Sequence, residues 1–161
     1  MLRFILLTLG VFCIAQSPVM AEDFLEANKK KAGILTLPSG LQYKIIQEGK
    51  GEAPGPTDFV TVNYRGTLVD GTEFDSSYTH QAPATFAVNA VIPGWTEALQ
   101  LMKPGSKWRV YLPPNLAYGA RGAGRAIAPN ATLIFDIELL AVKSALDENP
   151  ENEKMEIEEE G

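Results

Sequence analysis

The stretch Phe59-Val60-Thr61-Val62-Asn63-Tyr64-Arg65-Gly66-Thr67-Leu68, followed at once by Val69-Asp70-Gly71 and then Thr72-Glu73-Phe74-Asp75, decides the fold class of this chain. Val60, Val62, Tyr64 and Leu68 fall on one side of a two-residue repeat, with Thr61, Asn63, Arg65 and Thr67 opposite. That alternation predicts a strand with one face buried and the other in water. Asp70-Gly71 suits positive φ in a tight hairpin turn, so Thr72 to Asp75 reads as the returning strand.

Toward the C-terminus the pattern continues. A short strand is expected around Thr85-Phe86-Ala87-Val88. Pro93 suits the first position of a helix, because its missing N–H has no intrahelical partner there, and Ile92, Trp95, Leu99 and Met102 recur at helical spacing. Lys103-Pro104-Gly105 stops that helix. Trp108, Val110 and Leu112 then alternate with Lys107, Arg109 and Tyr111 in a second half-buried strand closed by Pro113-Pro114, and Leu133, Phe135, Ile137 and Leu139 mark a third. Between these two strands, Asn115 to Ala131 is rich in Gly, Ala and Pro and contains Tyr118-Gly119 and Ile127-Ala128-Pro129. A connection of that length without its own periodicity is often functional.

Toward the N-terminus, Leu41 to Ile46 follows the Pro38-Ser39-Gly40 turn and fits a strand. Glu22 to Thr36 allows roughly ten helical residues, marginal alone. Hairpin-like connections interrupted by one convincing helix predict an α+β domain, an antiparallel sheet with a helix across one face.

The ends read differently from this body. Met1-Leu2-Arg3 and the apolar run Phe4 to Ile14, with Val19-Met20-Ala21 at the cleavage position, predict a signal peptide over 1–21 and a mature chain from Glu22. The run is broken by Gln16 and Pro18 and falls short of the ~20 residues that span a bilayer, so no stable membrane insertion is expected after cleavage. The domain plan is thus 1–21 signal, 22–36 a short, partly helical segment, 37–143 the folded domain, and 144–161 an acidic tail expected to be disordered. From Glu22 to Lys143 there are 12 acidic and 12 basic side chains, while Ser144 to Gly161 hold 8 and 1. A neutral body without a Lys/Arg stripe lacks the electrostatic footprint of a nucleic-acid binder.

Chemistry by cysteine, metal or triad is also disfavoured. The chain's single cysteine, Cys13, lies in the expected signal, which leaves no thiol nucleophile, disulfide or Cys-based metal site in the mature chain. The single histidine, His80, sits in the polar stretch Tyr78-Thr79-His80-Gln81 and offers no zinc pair and no Ser-His-Asp set, and a lone loop histidine is ordinarily just solvated. No metal or cofactor is expected.

The order Val62-Asn63-Tyr64, Asp70-Gly71, Phe74-Asp75-Ser76-Ser77, Val91-Ile92-Pro93-Gly94-Trp95, Ala117-Tyr118-Gly119 and Pro129-Asn130-Ala131-Thr132-Leu133-Ile134-Phe135-Asp136 resembles the FKBP family of peptidyl-prolyl cis-trans isomerases from Leu37 to Lys143. It is most similar to the exported bacterial macrophage infectivity potentiator branch, through Leu37-Pro38-Ser39-Gly40-Leu41-Gln42-Tyr43 and Ile92-Pro93-Gly94-Trp95-Thr96-Glu97. The resemblance implies a twisted antiparallel sheet wrapped around one short helix, with a shallow apolar pocket between them. Trp95 is its implied floor, with Tyr64, Phe74, Phe86, Val91, Ile92, Ile127 and Phe135 as binding residues and Asp75 and Tyr118 as the catalytic, polar members. Many family members place an arginine a few residues after the Phe-Asp pair and pair it with the aspartate; Tyr78 to Gln81 holds none.

Such a site needs neither cofactor nor nucleophile. Rotation about an Xaa-Pro amide sacrifices C–N resonance and meets a barrier of ~18–20 kcal/mol, so a pocket that binds the twisted amide better than either planar isomer accelerates it. The resemblance implies that Tyr118 donates a hydrogen bond to a substrate carbonyl and that Asp75, held by Tyr64, orients or polarises the site. The expected partners are proline-containing unfolded proteins or peptides, and macrolide inhibitors of the family. The expected location is outside the cytoplasm, in the periplasm, at the cell surface or secreted. Only about fifteen residues separate Glu22 from Leu37, which predicts a monomer rather than the arm-mediated dimer of larger branch members. Two other readings are a chaperone that binds proline without turning it over and an interaction protein working through its acidic tail.

Overall fold

The strand pattern and its tight turns produce one antiparallel sheet. The structure, a computed structural model, describes residues 18–148. The expected signal segment lies outside these residues except for 18–21, as does the acidic tail from 149 on. Seven strands, β1 (Leu35–Thr36), β2 (Gln42–Gln47), β3 (Phe59–Leu68), β4 (Glu73–Ser76), β5 (Ala84–Ala87), β6 (Lys107–Leu112) and β7 (Leu133–Lys143), are joined by two helices, α1 (Pro18–Asn28) and α2 (Pro93–Leu99). The order across the sheet is β1-β2-β6-β7-β3-β4, and β5 shares with β4 the far edge of β3. Every pairing is antiparallel.

β3 is the spine. It pairs with β7 from Phe59↔Lys143 to Leu68↔Leu133, and its alternation buries Val60, Val62 and Tyr64 on one face as its sequence predicts. The turn into β4 is a three-residue loop. Leu68 N–H donates to the Thr72 carbonyl at 2.8 Å, Gly71 takes φ 89°, and Asp70 Oδ1 accepts the Thr72 N–H. Asp70 itself keeps a negative φ, so positive φ is needed at Gly71 alone.

Pro93 does occupy the first turn of α2, with Trp95 and Thr96 N–H groups returning to the Ile92 carbonyl. The helix ends at Leu99 and Met102 is reached through a turn, yet Leu99 and Met102 are both fully buried. Gly94 lets α2 settle on the sheet: a Cβ there would stand 2.5 Å from the Leu112 side chain on β6. Leu41, Val60, Val62, Ala98, Leu99, Met102, Val110, Leu112, Leu133, Ile137 and Leu139 close the core between sheet and helix. Each large aliphatic side chain of this set contributes about 1.5–3 kcal/mol by leaving water.

Several expectations change. Tyr111, placed by alternation on the wet face of β6, is only 8% exposed. The reason is α1, which crosses that opposite face with Phe24 tilted over Tyr111 at 6.2 Å, Asn28 donating to Gln42 Oε1 at 2.8 Å, and Gln42 donating to the Leu25 carbonyl. The sheet is therefore covered on both faces, not one. The helix expected from Glu22 starts earlier, at Pro18. The tail, expected to be disordered from Ser144, begins instead with a 3-10 turn at Ala145–Glu148, whose first N–H donates to Asp58 Oδ1. The 115–131 connection is also more ordered than its composition suggests. It carries 3-10 turns at Pro114–Leu116 and Gly119–Arg121 and a bridge from Ala123 to Ile127.

Candidate active site

Trp95 sits where α2 meets the sheet, 4% exposed, and three rings stand nearly perpendicular to its indole: Tyr64 at 5.2 Å and 83°, Phe86 at 5.7 Å and 87°, Phe135 at 5.2 Å and 88°. Phe74 packs edge-on against Phe135 at 5.4 Å. Edge-to-face contacts at these separations match the ring quadrupoles, so the set is a rigid cup. Each wall comes from a different strand: Tyr64 from β3, Phe74 from β4, Phe86 from β5 and Phe135 from β7. Gly66 on β3 makes the cup possible. A Cβ there would lie 2.6 Å from Cζ of Phe74 and 2.7 Å from Cε1 of Phe135.

The cup opens as a cavity of about 300 Å³ lined by Tyr64, Phe74, Asp75, Phe86, Ala90, Val91, Ile92, Trp95, Tyr118 and Phe135. Its polar groups are few. Tyr64 Oη donates to Asp75 Oδ2 at 2.7 Å, and Asp75 Oδ1 accepts the Ser76 N–H at 2.8 Å. Partial burial works against ionisation of Asp75, but the hydrogen bonds from Tyr64, Ser76 and His80 outweigh it and hold the carboxyl below its usual range. Burial first, then the bond into Asp75, drives the Tyr64 hydroxyl upward, so it stays a donor at any physiological pH. Ser77 locks Tyr64 in place: its Oγ accepts the Tyr64 N–H at 2.9 Å and its N–H donates to the Tyr64 carbonyl. Tyr118, 41% exposed, stands at the rim on the 115–131 connection, which is pinned by Asn130 N–H donating to the Gly119 carbonyl.

An apolar ring-sized cup with one carboxylate and two phenols is a place for a small cyclic apolar side chain beside an amide. The family profile described as FKBP-type peptidyl-prolyl cis-trans isomerase matches residues 50–140. The chain belongs to the FKBP-type isomerase family. A second profile, the domain amino-terminal to FKBP-type isomerases, matches residues 15–45. The outer membrane protein MIP of Legionella longbeachae is 58% identical over 130 residues, covering 81% of this chain and 56% of that one. Among solved structures, FkpA from Escherichia coli aligns with a TM-score of 0.76 at 49% identity, covering 79% of this chain and 59% of that one. A peptidyl-prolyl cis-trans isomerase from Pseudomonas syringae aligns at 0.73 and 41%, covering 77% and 91%. The chain spans about half the length of the curated relatives it matches, 56%, 52% and 45% of three of them.

In this FKBP-type domain nine of the ten expected site residues line one cavity. Ile127 does not. It is 6% exposed, joined by its backbone to Ala123, and packed into the core from the same connection that carries Tyr118. Ala90 lines the cavity without having been expected; its place directly before Val91 is its only mark in the sequence. His80, expected to be merely solvated, is exposed but brings Nε2 to 3.2 Å from Asp75 Oδ1.

Proposed function

We propose that this FKBP-type domain accelerates cis-trans rotation about Xaa-Pro bonds in unfolded or partly folded proteins. The observation that carries the reading is the aromatic cup on Trp95 with the Tyr64–Asp75 pair and Tyr118 at its edge. A prolyl ring fills the cup, and the preceding amide lies across the rim between Tyr118 and Asp75. As the amide twists it loses resonance and its zwitterionic character, so an apolar setting favours the twisted form over either planar isomer. Tyr118, whose hydroxyl has no protein partner among the described residues, donates to a substrate carbonyl. Asp75, fixed by Tyr64, orients the bound segment. No group needs to change its covalent bonding.

The test is a protease-coupled isomerisation assay on a short Xaa-Pro peptide, with the Tyr118→Phe, Asp75→Ala double variant alongside. We expect acceleration by the wild type and a loss of about tenfold or more in the variant, since each ~1.4 kcal/mol of transition-state binding is a factor of ten. A folded wild type that binds the peptide without accelerating it is a proline-binding chaperone instead. The same cup suits the apolar ring of a macrolide inhibitor.

The chain works outside the cytoplasm, in the periplasm or at the cell surface, and cell fractionation tests this. It works as a monomer, because Phe24 and Asn28 of α1 are already engaged on their own sheet. A light-scattering mass of twice the chain contradicts that.

A further inference from the structure

We propose that His80 is a positioning residue that makes this site respond to pH: the cationic imidazole holds the Asp75 carboxylate in its working orientation and the neutral imidazole releases it. The inference rests on the isomerase reading and deepens it by naming how that site is regulated.

Asp75 is the one charged side chain in the cavity lining. Its Oδ2 is committed to Tyr64, at 2.7 Å, while Oδ1 accepts the Ser76 N–H and faces His80 Nε2 at 3.2 Å. The loop after β4 is folded so as to present the ring there. The Tyr78 N–H donates to Ser76 Oγ, the His80 N–H to the Ser77 carbonyl and the Gln81 N–H to the Tyr78 carbonyl, with Gln81 at φ 59°. A non-glycine residue at positive φ is uncommon, and here it closes the turn that carries His80.

Two phenols also stand around Asp75. From β3 comes the Tyr64 hydroxyl, pushed upward by burial and by Asp75 itself, and from the 115–131 connection comes the Tyr118 phenol at the rim. Arg65, on β3, is directed to Glu73 at 2.6 Å instead. An imidazole is the side chain that ordinarily changes charge between about pH 5 and 8, and His80 is the only histidine of the chain.

Protonated, His80 is a donor at both ring nitrogens and makes a charge-assisted bond to Oδ1, roughly twice as strong as a neutral one. Neutral, it offers either a weaker N–H or a lone pair facing another lone pair. Oδ1 then holds the Ser76 N–H with a weaker second partner or none, and the carboxylate is freer to turn about Cβ–Cγ and loosen its hold on Tyr64. The imidazole is 67% exposed and the carboxylate 45%, so the effect is a few-fold one.

The experiment is kcat/KM on an Xaa-Pro peptide without titratable side chains, from pH 5 to 8.5, for the wild type, His80→Gln and His80→Arg. The wild type should fall roughly two- to fivefold as pH rises through the imidazole range, the size set by an exposed charge pair. His80→Gln should be flat at the lower level and His80→Arg flat at the upper level, since a guanidinium keeps its charge throughout. A flat wild type, or a step that survives in His80→Gln, overturns the proposal while leaving the isomerase reading intact. Absence of turnover at every pH overturns the isomerase reading itself. In that case NMR still tests the coupling, because the one imidazole gives one titration curve. Displacement of that curve by Asp75→Asn supports the coupling, and superimposable curves overturn it.

Discussion

At Tyr64 one side chain holds both halves of the site together. Its ring packs edge-on against Trp95 at 5.2 Å and its hydroxyl donates to Asp75 at 2.7 Å. Tyr64→Phe keeps the first contact and deletes the second. Because burial opposes ionisation of Asp75 and the Tyr64 bond is foremost among those favouring it, the Asp75 carboxyl should titrate at higher pH in the variant, as read by side-chain NMR. The sign for stability follows. A carboxyl held low in the folded state stabilises fully above its unfolded pKa near ~3.9, and that contribution is lost as pH falls through the folded value. Tyr64→Phe should therefore cost about 1 kcal/mol at neutral pH, small because Asp75 is half exposed, and less once Asp75 is protonated and the bond is no longer charge-assisted. Gly66 is the second decisive residue. With two aromatic rings under 3 Å from where its Cβ would stand, Gly66→Ala must displace Phe74 or Phe135. We expect a loss of about 1–3 kcal/mol by denaturant midpoint, the usual cost of overpacking, together with reduced kcat/KM from a distorted cup. Unchanged activity would show that the cup's shape is not critical.

The elements differ in how plainly the sequence announces them, and the reasons are physical. β3 and β7 bury one face each, so period-two alternation exposes them and their order dictates an antiparallel sheet. α2 is announced by Pro93 and by the buried spacing of Trp95 and Leu99, although its end at Leu99 is hidden because Met102 remains buried beyond it. β1 is two residues long, too short for any period to show. The second cover of the sheet, α1, escapes a reading of β6 alone, since Tyr111 looks solvent-facing until Phe24 arrives from another element. The cup was legible only through the family resemblance: Trp95 and Phe135 carry the spacing of ordinary core residues, and alternation alone does not separate a pocket wall from a core side chain. His80's contact with Asp75 depends on a loop turn through Gln81 that no periodicity encodes. Phe24→Ala tests the element-scale account. It should lower stability by about 1 kcal/mol, a fraction of a full aromatic burial, and leave isomerase activity unchanged because α1 lies on the face opposite the cavity.

At the scale of the whole molecule, an open antiparallel sheet with a helix on each face presents one rigid aromatic cup from four strands and a helix, on a body whose residues 22–143 carry 12 acidic and 12 basic groups. With no net charge on that body to draw a partner in, recognition rests on the fit of an apolar ring and on two or three hydrogen bonds. The central claim is turnover at that cup, and exchange NMR on an Xaa-Pro peptide with a catalytic amount of the protein tests it most directly. Unaided, the cis and trans resonances interconvert over tens to hundreds of seconds and show no exchange at sub-second mixing times. The account predicts cis-trans cross-peaks at those mixing times with the wild type and their loss in the Tyr118→Phe, Asp75→Ala variant. Peptide signals that broaden on binding while no exchange peaks appear would contradict it.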